Sequence, residues 1–176
     1  MFSVNPVLRF AKLDDLPDIV AIYNQTIPSR MVTADLEPVS VASRKDWFHQ
    51  HQSDNYPLWV LEIDGQIAGW LSLSPFKERA AYQHTVEISL YIESSYRGQH
   101  LGHYCLNFLE TAIENYNFET VVALVFGHNL ASQSLFAKHG YFLWGRLPQV
   151  ARLDDTYQDL LFLGKRYTKD ITEHHS

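Results

Sequence analysis

The sequence predicts an α+β domain, a mixed αβα arrangement in which a central seven-stranded sheet is covered by helices. Three observations predict it. The 176 residues are 46% apolar and 19% charged, so there is enough apolar surface for one core and too little charge for a disordered chain. Apolar residues recur with strand and helix periods in the order β-α-α-β-β-β-α-β-α-β-β. No repeat or linker interrupts that order, so residues 1–168 read as one domain and 169–176 as a polar, frayed tail.

Each element has its own signal. Residues 7–11 (VLRFA) read as the first strand, and 13–27 as an amphipathic helix with Asp14 or Asp15 at its start and Pro17 in its first turn. An irregular loop (28–38) leads to a second helix over 40–52, capped by Ser40. LWVLEID and QIAGWLSLS are strands joined at Asp64-Gly65, a strong hairpin signal. A loop (75–84) precedes the fourth strand, 85–92 (TVEISLYI). A glycine-punctuated turn then opens the third helix. The continuous apolar run 120–126 suits a central strand. Asn129 caps a fourth helix that Gly140 stops. Residues 141–147 and 157–167 close the sheet, with PQVARLDDT as the loop between them.

Composition narrows the function. A formal charge of −6 argues against wholesale nucleic-acid binding, so any bound anion must be held locally. No apolar run approaches a membrane span and no secretory pattern opens the sequence, so a cytoplasmic protein is expected. The single cysteine, Cys105, excludes an internal disulfide and reads as a core thiol. Nine histidines lack ligand spacing: His49 and His51 fall on different helix faces, and His174-His175 lie in the tail, so no metal is expected.

The informative stretch is 96–104, YRGQHLGHY. A helix start leaves unpaired N–H groups and a partial positive charge. Glycines let a backbone approach a ligand, and Arg97 adds a fork of donors for phosphate. A P-loop needs a Lys-Ser or Lys-Thr that is missing, and a dinucleotide fingerprint needs a third glycine where His100 stands. Arg97, Gly98, Gln99, His100, Leu101 and Gly102 do fill [QR]xxGx[GA], which resembles the pyrophosphate loop of the GNAT superfamily of acyl-CoA N-acyltransferases. His100 replaces the usual glycine and is tolerable if its φ stays negative. Four further segments in order (22–38, 76–92, 128–141 and 157–163) are similar to those of phosphinothricin-type acetyltransferases.

The resemblance implies a GNAT-like fold splayed between the fourth and fifth strands, with acetyl-CoA (coenzyme A) as cofactor. It implies pantetheine pairing with the backbone of Leu90, Tyr91 and Ile92, pyrophosphate on residues 97–102, and contacts from Asn129 and Ser132. A backbone N–H near Tyr91 would hold the oxyanion. Along the fourth strand Glu87, Ser89 and Tyr91 share one face. Glu87 is the expected general base, its pKa raised by burial. Deprotonating a Lys-like amine at pH 7 costs about 4.6 kcal/mol, an α-amine about 1.4.

The position of the usual acid is Phe136, which cannot donate. Either no acid acts, or His128, His139 or Tyr141 substitutes. On the substrate side, Arg79 could pair with a carboxylate, with Phe76 and Tyr82 as walls and Arg30 and Thr33 as further candidates. Asp159 would orient an amine or pair with a nearby basic residue. An arginine for a carboxylate beside a base for an amine describes a small amino acid or analogue as acceptor. The alternatives are a non-catalytic acyl-CoA sensor and acetylation of peptide or protein amines. A homodimer is expected from the resemblance.

Overall fold

The computed structural model describes residues 5–51 and 54–167. The seven strands are β1 (Pro6–Phe10), β2 (Leu58–Ile63), β3 (Gln66–Pro75), β4 (Thr85–Ile92), β5 (Thr120–Phe126), β6 (Phe142–Leu153) and β7 (Thr156–Arg166). The α-helices are α1 (Leu16–Thr26), α2 (Lys45–Gln50), α3 (Leu101–Ala112) and α4 (Leu130–Lys138). Short 3-10 turns flank most of them. The expected tail and His174-His175 lie outside the described residues. The second helix, expected over 40–52, is shorter: a 3-10 turn (Ala42–Arg44) leads into Lys45–Gln50, and His51 is already extended.

The strands form one sheet in the order β1-β2-β3-β4-β5-β7-β6, antiparallel except where β4 meets β5. Leu101, Cys105, Leu106 and Leu109 recur one turn apart on α3 and are buried. With Phe136 of α4 they pack on one face of the sheet against Val86, Ile88, Val121 and Ala123. Leu16, Ile19 and Val20 of α1 and Phe48 of α2 pack on the other face against Val60 and Trp70. The layers are therefore helix, sheet, helix. Cys105 is fully buried and its thiol is pushed up to about 12 by burial, which fits a core residue. Asp64 and Gly65 both have positive φ, as a two-residue hairpin turn of type I′ needs. Among the described residues no helix is long and apolar enough to cross a membrane.

One expected loop is a strand. PQVARLDDT was expected to link two strands, but β6 runs on to Leu153 and turns at Asp154-Asp155 into β7. The ladder breaks between Leu147 and Ala151, where Gln149 has φ of 52°. Pro148 sits inside that break. It cannot donate to a ladder, and an edge strand with a bulge does not ask it to.

The feature that positions the site is the β4–β5 junction. The two strands pair only at Thr85↔Thr120, Val86↔Val121 and Glu87↔Val122, and then diverge. β4 stays paired with β3 as far as Ile92.

Candidate active site

Backbone direction along β4 follows from its end bonds. Phe76 N–H donates to the Thr85 carbonyl and Glu93 N–H to the Ala68 carbonyl, so odd-numbered residues turn their backbone groups toward β3. Thr120 N–H donates to the His84 carbonyl, so even-numbered ones turn toward β5. Beyond Glu87 the amides of Ile88, Leu90 and Ile92 therefore face the gap. This corrects the expectation for Tyr91, whose backbone is committed to Trp70 of β3. An oxyanion donor near Tyr91 must be a flanking even-numbered amide.

The gap is a cavity of about 440 Å³ walled by Glu87–Tyr91, Ala123–Phe126, Val32, Thr33, Asn129, Ser132 and Phe136. It opens into a groove of about 570 Å³, sharing Val32, Leu90, Tyr91, Asn129, Ser132 and Phe136. The groove ends at Arg97, Gly98, His100, Leu101, Gly102 and His103, where α3 begins. The first N–H groups of α3 have no helical partner there, and Arg97 makes no ion pair among the described residues. Open strand amides leading to a positively polarised helix start suit an amide-bearing arm with an anionic end, which is the form of coenzyme A.

The loop departs from expectation in detail. His100 has φ of 59°, not a negative value, and occupies the left-handed cap of α3. Histidine is among the residues that enter that region more readily than most. Gly98 has φ of 76° and open space around it, so the turn itself needs glycine. Gly102 serves packing as well, since a Cβ there would come within 2.9 Å of Leu135 of α4. Gln99 does not line the groove. His103, which sequence reasoning passed over, does line it and is held by His139 through an Nδ1···Nε2 contact of 2.9 Å.

Glu87 stands where the strands part. It is half-buried, and among the described residues its carboxylate makes no hydrogen bond. Burial raises its pKa, with the nearby Lys77 acting weakly the other way. Ser89 and Tyr91, on the same face, likewise have hydroxyls without a hydrogen-bond partner among the described residues. Ser132 lines both cavities, and its hydroxyl makes no hydrogen bond among the described residues. Asn129 is more occupied: it accepts from Ser132 N–H (3.1 Å) and donates to the Met31 carbonyl (3.2 Å). Thr33 is buried in the cavity wall, hydrogen-bonded to Tyr23.

Several expected substrate residues are engaged elsewhere. Arg30 is spent on Asp154 (2.9 Å) and on the carbonyls of Ile27 and Leu36, tying its loop to the β6–β7 turn. Asp159 takes Arg146 (2.6 Å) and the Gln149 N–H (2.9 Å), which is the basic-residue pairing weighed as its alternative. Arg79, Phe76 and Tyr82 sit on the loop before β4, Phe76 and Tyr82 in ring contact, and none is part of the cavity wall.

Phe136 is buried at the junction of cavity and groove. None of its expected substitutes lines either space. His128 is turned to the Arg30 carbonyl, His139 to His103, and Tyr141 to the Tyr167 hydroxyl.

Comparison with known proteins agrees with this geometry. The family model described as "Acetyltransferase (GNAT) family" matches residues 18–141. The Bacillus subtilis (strain 168) protein YwnH, provisionally named a phosphinothricin acetyltransferase, is 43% identical over 159 residues, covering 90% of this chain and 97% of that protein. The L-methionine sulfoximine/L-methionine sulfone acetyltransferase of Pseudomonas aeruginosa is 30% identical, covering 89% and 91%. The crystal structure of a GNAT superfamily phosphinothricin acetyltransferase from Sinorhizobium meliloti in complex with AcCoA superposes with a TM-score of 0.86 at 26% identity, covering 92% and 88%.

Proposed function

Because the chain belongs to the GNAT acetyltransferase family, we propose that it transfers the acetyl group of acetyl-CoA to the amine of a small amino acid or analogue. Phosphinothricin and methionine sulfoximine are the model acceptors. The observation that carries this reading is Glu87, a half-buried carboxylate without a hydrogen bond among the described residues, at the mouth of the open β4–β5 gap.

Acetyl-CoA supplies the thioester carbon that the acceptor amine attacks. The residues of this chain do the rest. Ile88, Leu90 and Ile92 offer amides to the arm and to the oxygen that gains charge. Arg97 and the start of α3 hold the anionic end. Glu87 takes the proton from the acceptor ammonium, directly or through water. No side chain need serve as acid for a leaving thiol of pKa ~8.5, which suits Phe136 at that position. Two copies are expected to associate through the β6 edge, where Phe142, Leu143, Trp144 and Val150 are exposed.

The test is release of free thiol from acetyl-CoA with a panel of amino acids, these analogues and peptides, with mass spectrometry of the product. N-acetylated amino acid is expected. Turnover of peptides alone, or coenzyme A binding without turnover, would overturn it.

A further inference from the structure

On the other side of β4 from the groove lies a third cavity, of about 200 Å³, walled by Ile19, Val20, Tyr23, Val39, Arg44, Trp47, Trp70, Ser89 and Tyr91. It shares Ser89 and Tyr91 with the β4–β5 cavity, and these two residues follow Glu87 on one strand face. The walls are a continuous aromatic set. Trp47 meets Trp70 edge-on at 5.5 Å, Trp70 stacks on Tyr91 at 4.7 Å, and Tyr23 meets Tyr91 edge-on at 5.3 Å.

Some polar atoms of these walls are already engaged. Trp70 Nε1–H donates to the Ile19 carbonyl (3.1 Å), and the Tyr23 hydroxyl is bonded to Thr33 and Asp35. Four groups are left, one of them the Trp47 indole N–H, which makes no hydrogen bond among the described residues. The hydroxyls of Ser89 and Tyr91 have no hydrogen-bond partner among the described residues. Arg44 uses one nitrogen, Nη2, on Asp35 at 3.2 Å, and lies over the Tyr23 ring at 5.4 Å. The rest of its donor fork makes no hydrogen bond among the described residues. A guanidinium with spare donors beside two hydroxyls, in an aromatic setting, is built to receive a planar anion bidentately. Burial keeps the Tyr91 hydroxyl protonated, so it stays a donor.

We infer that Arg44 binds the carboxylate of the acceptor amino acid, with Ser89 and Tyr91 assisting and the side chain lying against Trp47 and Trp70. This rests on the amino-acid reading above and adds a specificity determinant to it. Arg44 takes the part that the sequence suggested for Arg79. The volume, below the ~300–1,000 Å³ of drug-sized sites, is of a size for one small amino acid. The walls carry no acidic side chain, so nothing in them favours an acceptor with a cationic side chain. The carboxylate at Arg44 and the amine near Glu87 would bracket the substrate along one strand face.

The test compares L-methionine sulfone with its carboxamide as acceptors, in wild type and in Arg44→Gln. Arg44→Gln is expected to raise KM for the free acid ~30-fold or more, to change kcat/KM for the carboxamide less than ~3-fold, and to leave acetyl-CoA affinity unchanged. Arg44→Lys, which keeps charge without the fork, should fall between, and it carries the test if the Gln variant does not fold. Asp35→Asn removes the ion pair but not the guanidinium. If it reproduces the acid-selective loss, loop anchoring is the cause and the inference is overturned. Equal losses on both acceptors, or none, also overturn it. A wild type that acetylates acid and amide equally well defeats the Arg44 assignment alone. One that acetylates neither but turns over peptides defeats the amino-acid reading beneath it.

Discussion

Glu87 ties catalysis and stability together in one side chain. Replacing it with Gln keeps the shape and removes the base, so turnover should fall ~10²-fold or more with acetyl-CoA affinity intact. Steady-state kinetics beside equilibrium cofactor binding would measure this. Burial raises the Glu87 pKa above 4.5. A base works deprotonated, so the acid limb of kcat/KM should lie above pH 4.5. Lys77→Ala, removing the cation that opposes the rise, should move that limb further up. The stability sign runs opposite to that of a paired carboxylate. A folded pKa above the unfolded one favours folding when the group is protonated, and that advantage is lost as pH rises through the folded value. Glu87→Gln should therefore raise Tm at pH 7 and leave it nearly unchanged near pH 4, as read by thermal melts. His100 offers a second check at this scale. With φ of 59° it holds a conformation that costs an L-residue about 1 kcal/mol, so His100→Gly should recover part of that and His100→Ala none. Side-chain charge was legible in the sequence, but partnership only where the partner lay close: pairing with a nearby basic residue was one of the two readings of Asp159, whereas Arg30 is held by Asp154, which is distant in sequence.

Elements were legible where local pattern and burial agreed. β4, β5 and the Asp64-Gly65 hairpin follow from alternation, a continuous apolar run and a turn pair, signals that tertiary packing reinforces. The second half of β6 was not, because Pro148 and polar neighbours read as loop while an edge strand tolerates both. The aromatic cavity was invisible for another reason. Arg44 precedes α2 and Tyr91 is the last residue but one of β4, and only packing of the helices on the sheet brings them together. The close approach of β3 to β4 gives a test at this scale. A Cβ at Gly69 would lie 2.6 Å from the Tyr91 carbonyl oxygen and 2.9 Å from Ile92 Cδ1. Because the first neighbour is backbone, Gly69→Ala should cost about 1–3 kcal/mol in denaturant unfolding. It should also raise KM for acetyl-CoA by displacing the Leu90 and Ile92 amides.

At the scale of the whole molecule, a net charge of −6 coexists with a groove that ends at the positively polarised start of α3, so the proposed anion site is local and not a property of the surface at large. Phe142, Leu143, Trp144, Leu147, Val150 and Tyr157 are exposed around one end of the sheet. The proposed pairing through β6 predicts that Phe142→Glu with Leu143→Glu yields a monomer in light scattering where the wild type is a dimer; an unchanged mass would remove β6 from the interface. The parting of β4 and β5 after three paired residues has one more consequence. A ligand that bridges this wedge stands in for the missing stretch of ladder and has no counterpart to bind in the unfolded chain. At 100 times its Kd it adds ~2.7 kcal/mol to stability. Resistance to unfolding and proteolysis would then track the acyl-donor supply, so a starved cell would hold a softer, shorter-lived enzyme than a well-fed one.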